Sequence, residues 1–268
     1  MKERIDILLV ERRLVESRTK AQWLIKNGYV FVSGKKITKP GRRIDNSLKI
    51  QLTRRFPYVG RGGLKLEAAL RDFSVSVEGK ICIDIGASVG GFTDCLIKHG
   101  AKKVYAIDTA TDLLHPSLSC EKMNGKVIPI LSADARNSLN IDEKADICTI
   151  DVTFTSLKAI LPNIKNLLKN SGDIIVLVKP IFETEFQNKG RFDNIEDPIT
   201  LFQILNDLIQ WSIKNQFYPY EVIKSPLLGK EDSIEFFIHL KLKESGQIFD
   251  FKKKIKNILK LNHFVRYN

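Results

Sequence analysis

The sequence predicts an α/β protein, a mostly parallel sheet with an antiparallel edge strand, preceded by a small α+β domain. Three observations predict it. From residue 61 to residue 242, short runs of β-branched and aliphatic residues alternate with longer stretches of helical periodicity, the pattern of a parallel sheet with helices on both faces. The first of those runs ends in a glycine-rich turn that leads into a helix. The first sixty residues follow a different plan, two helical segments and then short strands. At 268 residues, 43% hydrophobic and 28% charged, the chain suits one large domain or a medium domain with a small one, and it is too apolar for a disordered chain.

Arg4-Ile5-Asp6-Ile7-Leu8-Leu9-Val10 opens a short helix. Ser17 stands as the N-cap of a second, residues 18–26, in which Ala21, Leu24 and Ile25 recur at helical spacing while Arg18 and Lys26 point elsewhere. Asn27-Gly28 ends that helix, because both residues tolerate positive φ. Residues 29–32 read as a strand, 33–36 as a turn and 44–52 as further strand. Residues 54–60 lose periodicity at Pro57 and read as a linker. The expected domains are therefore 1–53, the linker 54–60, 61–245, and a basic amphipathic tail 246–268.

In the larger domain, strands are expected at 81–85, 103–107, 127–131, 147–150 and 174–178. Helices are expected near 64–72, 91–99, 156–169 and 198–214. Residues 220–224 and 233–242 read as an antiparallel hairpin at one sheet edge.

Composition excludes several classes. No apolar run reaches the length of about 18 residues that a membrane span needs. The first 25 residues carry charges throughout, unlike a secretory signal. Cys82, Cys95, Cys120 and Cys148 form no C-x-x-C pair, so neither a zinc ribbon nor a disulfide scaffold is expected; four buried thiols in a reducing cytoplasm are. No metal site is expected.

The net charge of +12 is uneven. Residues 1–60 carry +10, residues 61–240 carry −4 and residues 241–268 carry +6. A near-neutral body with two basic ends suggests attraction of a polyanion, either nucleic acid or an anionic membrane.

Asp84-Ile85-Gly86-Ala87-Ser88-Val89-Gly90-Gly91-Phe92-Thr93 is strand, glycine-rich turn, then helix. Such a turn lets backbone approach a ligand, and the helix N-terminus favours anionic groups. The spacing is not that of the dinucleotide fingerprint, and a purely structural tight turn fits the pattern too. Asp108 ends the second strand, 22 residues after Gly86, where an acid bonds ribose hydroxyls. Together they favour a nucleoside ligand. Asp84 either shapes the turn or orients the amino-acid end of that ligand.

Four charged residues stand against apolar surroundings. Lys65 precedes the first strand, Asp151 ends the fourth, Lys179 ends the fifth, and Glu235 lies between Ile234 and Phe236 in a strand. Charges placed so are costly to bury unless paired. Separate surface positions explain any one of them; three belong to the sheet edge where ligands bind.

The N-terminal pattern, Arg4, Asp6, Leu9, Val10, Ser17, Arg18, Ala21, Ile25, Gly28, Val30, Val32 and Gly34, resembles the small RNA-binding module of ribosomal protein S-four. That resemblance implies contact with structured RNA, with Arg4, Arg18, Lys20, Lys26, Lys35, Arg42 and, past the linker, Arg61 as phosphate contacts. The chain over residues 1 to about 242 resembles the TlyA family of ribosomal RNA ribose 2′-O-methyltransferases, sometimes labelled haemolysins. Their catalytic part is similar to FtsJ-type methyltransferases with a Rossmann-like sheet. The stretches that carry the likeness run from Gly60 to Leu70, Asp84 to Asp94, Asp151 to Leu157 and Leu177 to Glu183.

The resemblance implies S-adenosylmethionine as methyl donor and a cytidine in ribosomal RNA, or an assembled ribosomal subunit, as partner. It places a Lys-Asp-Lys-Glu catalytic tetrad on Lys65, Asp151, Lys179 and Glu235. It places the donor loop on Gly86, Ala87, Ser88, Gly90, Gly91 and Phe92, with Asp84 beside it, and the ribose acid on Asp108. The chemistry suits the residue types. A sulfonium is already a good leaving group, so the difficulty is the neutral alcohol. Lys179 takes its proton only as a neutral amine; Lys65 favours that form, while Asp151 and Glu235 orient the lysines and the hydroxyl.

The chain departs from the family pattern around the donor. Ser88-Val89-Gly90-Gly91 replaces Ser-Thr-Gly-Gly, and Thr109-Ala110-Thr111-Asp112-Leu113 replaces a Gly-Tyr-Gly-Gln-Leu-like run. Asp134-Ala135-Arg136 replaces Asn-x-Arg, with Asp134 as the acceptor for an adenine amino group. Asp232-Ser233-Ile234 replaces the Gly-Asn before the final Glu. An RNA binder with an inactive methyltransferase domain and a membrane-active haemolysin are the alternative functions. In the tail, positions 248, 251, 255, 258 and 259 make one apolar helical face opposite lysines. It suits docking onto the sheet domain, added RNA contact or a membrane surface.

Overall fold

The structure, a computed structural model, describes residues 1–119, 121–184, 194–244 and 250–261, with the backbone alone of Lys230. Two compact units are present, Met1–Arg61 and Gly62–Asn268.

The first unit holds β1 (Lys2–Arg4), α1 (Ile5–Glu11), α2 (Arg18–Lys26), β2 (Val30–Val32), β3 (Lys35–Ile37), β4 (Arg43–Asp45) and β5 (Ile50–Leu52). The Ser17 side chain accepts the Lys20 N–H at 3.3 Å and so caps α2. Ser33 and Gly34, at φ 46° and 79°, make the tight turn between β2 and β3. The strand expected across 44–52 is two strands in two sheets. Asp45 Oδ1 accepts the Ser47 N–H at 3.0 Å, a local turn that diverts the chain. β4 therefore pairs with β1, and β5 pairs with β2. Ile5, Leu9, Leu24, Ile25 and Val30 are fully buried between the helices and strands. Residues 54–60, expected as a linker, begin packed on this unit: Phe56 meets Trp23 edge-on at 5.1 Å and Arg54 lies 5.5 Å over the Tyr29 ring.

The second unit runs α3 (Gly62–Asp72), β6 (Ile81–Ile85), α4 (Gly91–Lys98), β7 (Lys103–Ile107), β8 (Val127–Ile130), β9 (Ala145–Ile150), α5 (Leu157–Ile164), β10 (Leu168–Val178), α6 (Pro180–Glu183), α7 (Pro198–Lys214), β11 (Tyr218–Lys224), β12 (Phe236–Lys241) and α8 (Phe251–Ile258). Its seven strands lie in the order β11-β12-β10-β9-β6-β7-β8. β10, β9, β6, β7 and β8 are parallel neighbours, and β12 is antiparallel to both β10 and β11. The antiparallel strand thus sits one place in from the edge.

The near-continuous apolar strands follow from burial on both faces: β6 is buried along its whole length. α5 stops at Ile164 rather than 169, and β10 begins at Leu168 rather than 174. Leu167 and Leu168 continue the apolar spacing of the helix, yet they are buried at the start of the strand, where Leu168 pairs with Ala145 before a shift of register at Asp173. At the head of α7, Asp197 accepts the Thr200 N–H at 2.8 Å and Pro198 fills the first turn.

Cys82, Cys95 and Cys148 are free and buried; Cys120 lies outside the described residues. Burial raises the Cys82 and Cys148 thiols, so both stay protonated. Among the described residues no helix is long and apolar enough to cross a membrane.

Candidate active site

The order of strands reverses beside β6: β7 lies on one flank and β9 on the other. Such a reversal opens a crevice outside the strand C-terminal ends. A cleft of about 600 Å³ lies there, lined by Gly86, Asp108, Asp134, Asp151 and Lys179 among others. Each of these follows the end of a different parallel strand, or, for Asp134, the loop after one.

Lys179 and Asp151 form an ion pair at this edge, with Nζ 2.5 Å from Oδ1. The directed hydrogen bond of Lys179 goes to the Val152 carbonyl at 3.0 Å. Asp151 Oδ1 is buried and lacks a hydrogen-bond partner among the described residues, because the ammonium meets it off the hydrogen-bond axis. Asp151 is itself fixed by its N–H, which donates to Ile85 of β6 at 2.9 Å.

Glu235 reaches the same edge because β12 is antiparallel. The register pairs Val178 with Phe236, so Lys179 and Glu235 leave the sheet side by side. Glu235 stands one residue before β12 rather than within a strand. It is paired with Lys65 of α3, and both are more than nine-tenths buried. The four predicted residues therefore form two ion pairs. Asp151 and Lys179 line the cleft, while Lys65 and Glu235 make a buried pair that does not.

Two loops carry the cleft pair, and a residue to which the sequence assigned no role joins them. Glu183 accepts the Ser156 hydroxyl at 2.6 Å and the Leu157 N–H at 2.8 Å, closing the first turn of α5. Burial raises the Glu183 carboxyl against the opposing effect of these donors. Across the same two loops Phe154 packs against Phe182 at 5.4 Å. Phe154 is 73% exposed at the cleft wall and sits at φ 62°, a left-handed conformation rare for an aromatic residue. Its signal in the sequence is an aromatic residue flanked by Thr153 and Thr155 in the loop after a strand.

The predicted donor residues separate into two groups. Gly86 and Ser88 line the cleft. Gly86 is at φ 80°, and a Cβ there would stand 2.2 Å from the Asp151 carbonyl, so only glycine fits. Asp108 also lines it; its carboxylate accepts the Ser88 N–H at 2.7 Å and the Ala110 N–H at 2.8 Å. Asp134 lines the cleft as well. Asp134, however, is already held in a fork by Arg136 at 2.6–3.0 Å, which lowers its carboxyl and spends much of its capacity as an acceptor.

The second group supports the loop from behind. Asp84 is fully buried and accepts the Thr93 and Thr149 hydroxyls at 2.6 and 2.9 Å, so it shapes the turn and does not reach a ligand. Ala87, Gly91 and Phe92 are buried. Gly91 is small because α3 crosses it, with the Gly63 nitrogen 3.2 Å from an added Cβ, and Gly90 because Leu118 would stand at 2.3 Å. Phe92 stacks on Phe237 at 6.2 Å.

Of the predicted RNA contacts, Lys26, Lys35, Arg42 and Arg61 are exposed. Arg4 and Arg18 both hold the buried Asp6, at 3.0 and 2.9 Å, with Gln22 adding a third donor at 2.9 Å. Burial opposes that charge, yet the three donors outweigh it and keep the carboxyl well below its usual range. Lys20 is a correction: it is buried, paired with Glu16 and 5.6 Å from the Phe56 ring, so it braces the unit and offers no phosphate contact. No group of His, Cys, Asp and Glu suited to a metal ion occurs among the described residues.

Comparison with known proteins adds to this geometry. The family of FtsJ-like methyltransferases matches residues 58–242, and the S4 domain matches residues 3–50. "Hemolysin A" of Brachyspira hyodysenteriae is 38% identical over 88% of this chain and 98% of its own. The "16S/23S rRNA (cytidine-2'-O)-methyltransferase TlyA" of Mycobacterium tuberculosis is 31% identical over 89% of each chain. A solved structure described as "Putative hemolysin from Streptococcus thermophilus" superposes with a TM-score of 0.71 at 34% identity, covering 98% of this chain and 96% of that one.

Proposed function

The chain belongs to the TlyA family of FtsJ-like methyltransferases, and from that premise we propose that it methylates the 2′-hydroxyl of a ribose, that of a cytidine, in ribosomal RNA. The observation that carries this reading is the pairing of Lys179 with Asp151 on the wall of a cleft built around Gly86. S-Adenosylmethionine, when bound, supplies a methyl group on a sulfonium that leaves as a neutral thioether. The cleft fits such a donor: Gly86 brings bare backbone to its wall, and Asp108 stands where ribose hydroxyls are recognised.

The residues of the chain then deal with the alcohol. The Asp151 carboxylate, paired with Lys179 and lining the cleft, accepts the 2′-hydroxyl proton. Lys179 Nζ, anchored on the Val152 carbonyl, donates to the 2′-oxygen and holds it in line while its proton passes to the Asp151 carboxylate. Lys65 and Glu235 neutralise each other in the interior, which fixes α3 and the start of β12 beside the pair. Much of the acceleration comes from placement. Phe154 offers its exposed ring to a base beside the reacting ribose. The exposed Lys26, Lys35, Arg42 and Arg61 are contacts for RNA phosphates. An enzyme with this substrate works in the cytoplasm.

Mapping of 2′-O-methylation on ribosomal RNA and isolated subunits, with S-adenosylmethionine and purified protein, tests the reading. One modified cytidine is expected, lost in Lys179→Ala while donor binding by calorimetry persists. Turnover retained by Lys179→Ala overturns the assignment of the pair. Absence of donor binding by the native protein leaves an RNA binder with an inactive domain.

A further inference from the structure

The C-terminal helix α8 carries a charged face that the proposed chemistry does not use. Its apolar side is consumed by the fold. Ile255 is fully buried, α8 packs on α7 and β11, and Lys254 reaches Glu221 of β11 at 3.0 Å. Lys252, Lys253 and Lys256 are exposed. At about 100° per residue they span an arc of roughly 100° that begins about 60° from Ile255 at Lys252 and reaches the opposite side of the helix at Lys253. Lys260, just beyond the helix, is exposed as well. Lys252, Lys253 and Lys260 have no ion-pair partner among the described residues, and Lys256 lies over the Phe202 ring at 5.8 Å.

Topology says where this face lies. β12 ends at Lys241, opposite Asp173, which is the end of the sheet away from the cleft. α7 begins after β10 leaves the cleft edge and ends four residues before β11 starts at the far edge. Phe202 is therefore in the part of α7 nearer the cleft edge. Lys254 meets the middle of β11 and Lys256 meets Phe202, so α8 lies against both β11 and the first half of α7. Its lysines lie on the β11 flank of the sheet.

We propose that Lys252, Lys253, Lys256 and Lys260 of α8 form a second RNA-binding surface, which holds the phosphate backbone of the substrate on the β11 flank of the catalytic edge. This rests on the reading of the chain as an RNA-modifying enzyme. RNA rather than an anionic membrane is the partner because an amphipathic helix enters a bilayer through its apolar side, and that side of α8 is already packed on α7 and β11. Phosphate contact needs the charged side alone.

The test compares the full-length native protein with a variant carrying Lys252→Gln, Lys253→Gln, Lys256→Gln and Lys260→Gln. Binding to a ribosomal RNA fragment is measured over a series of salt concentrations, and methylation at limiting and saturating RNA. The variant is expected to bind roughly tenfold or more weakly at low salt, with a log K against log[salt] slope shallower by about 0.7–0.9 for each phosphate that is no longer neutralised. Methylation falls at limiting RNA and recovers at saturation. Unchanged affinity and slope overturn the proposal. Lysine-dependent binding of native protein to vesicles containing phosphatidylserine, with RNA affinity untouched, overturns it in favour of a membrane. If the native protein binds RNA yet never methylates it, the enzymatic reading fails while the salt slope still decides the role of α8.

Discussion

Glu183 closes the first turn of α5 by accepting the Leu157 N–H at 2.8 Å. The bond ties the loop after β10, which begins with Lys179, to the loop after β9, which begins with Asp151. Ser156 adds a second bond to the same carboxylate. Glu183 is thus a positioning residue for the Lys179–Asp151 pair. Glu183→Ala is expected to lower kcat roughly 10- to 100-fold, the scale of an ångström-sized misplacement, while donor affinity stays within about threefold. Glu183→Gln keeps an acceptor for Leu157 and is expected to restore most of kcat. Steady-state kinetics with donor titration reads this split. An equal loss of donor binding and kcat in both variants would sink the positioning role.

Much of this site was legible because residues at strand ends are marked by sharp contrast. Lys179 follows five apolar residues of a strand, and Asp151 follows Ile150 in the same way, so their arrival at one edge follows from a parallel sheet. Pairing was not legible. That Glu235 binds Lys65 depends on β12 running antiparallel beside β10, a long-range choice that local spacing does not encode. Glu183 was hidden for a similar reason, since its partners are 26 and 27 positions away. Asp84 looked like a donor contact because it adjoins the glycine turn, but its carboxylate is taken up by Thr93 and Thr149 from the neighbouring helix and strand. Lys20 looked exposed by charge alone, whereas its ammonium lies 5.6 Å from the Phe56 ring and pairs with Glu16. The split of residues 44–52 into β4 and β5 turned on a local turn in which Asp45 accepts both the Ser47 N–H and its hydroxyl.

Gly86 touches both halves of the proposed site, since an added Cβ would meet the Asp151 carbonyl at 2.2 Å. Gly86→Ala adds this clash to the cost of a left-handed residue, about 1–2 kcal/mol. Relief requires β6 to move from β9, which shifts Asp151 and the cleft wall together. The expected outcome is a donor affinity weaker by roughly tenfold or more, the equivalent of about 1.4 kcal/mol, with a larger loss of kcat/KM. Calorimetric titration with S-adenosylmethionine checks it; native affinity in the folded variant would show that the backbone at Gly86 does not set the cleft.

Asp84 predicts a pH dependence of stability with a definite sign. Burial raises its carboxyl from 3.8 to about 6, helped by the nearby Asp151 charge and opposed by the Thr93 and Thr149 hydroxyls. Between about pH 4 and pH 6 the folded protein therefore keeps a proton that the unfolded chain releases. The Asp84 contribution is greatest below the unfolded value and is lost as pH rises through the folded one, a change of roughly 3 kcal/mol in all. Asp84→Asn removes that titration while an amide still serves both threonines, one as acceptor and one as donor to a rotated hydroxyl. Urea unfolding across pH 4–8 is expected to show the native protein losing stability relative to the variant up to about pH 6 and running parallel to it above. A difference that does not change with pH would mean that Asp84 is ionised throughout. Its bonds to Thr93 in α4 and Thr149 in β9 would then be charge-assisted supports for the strand that ends one residue before Asp151.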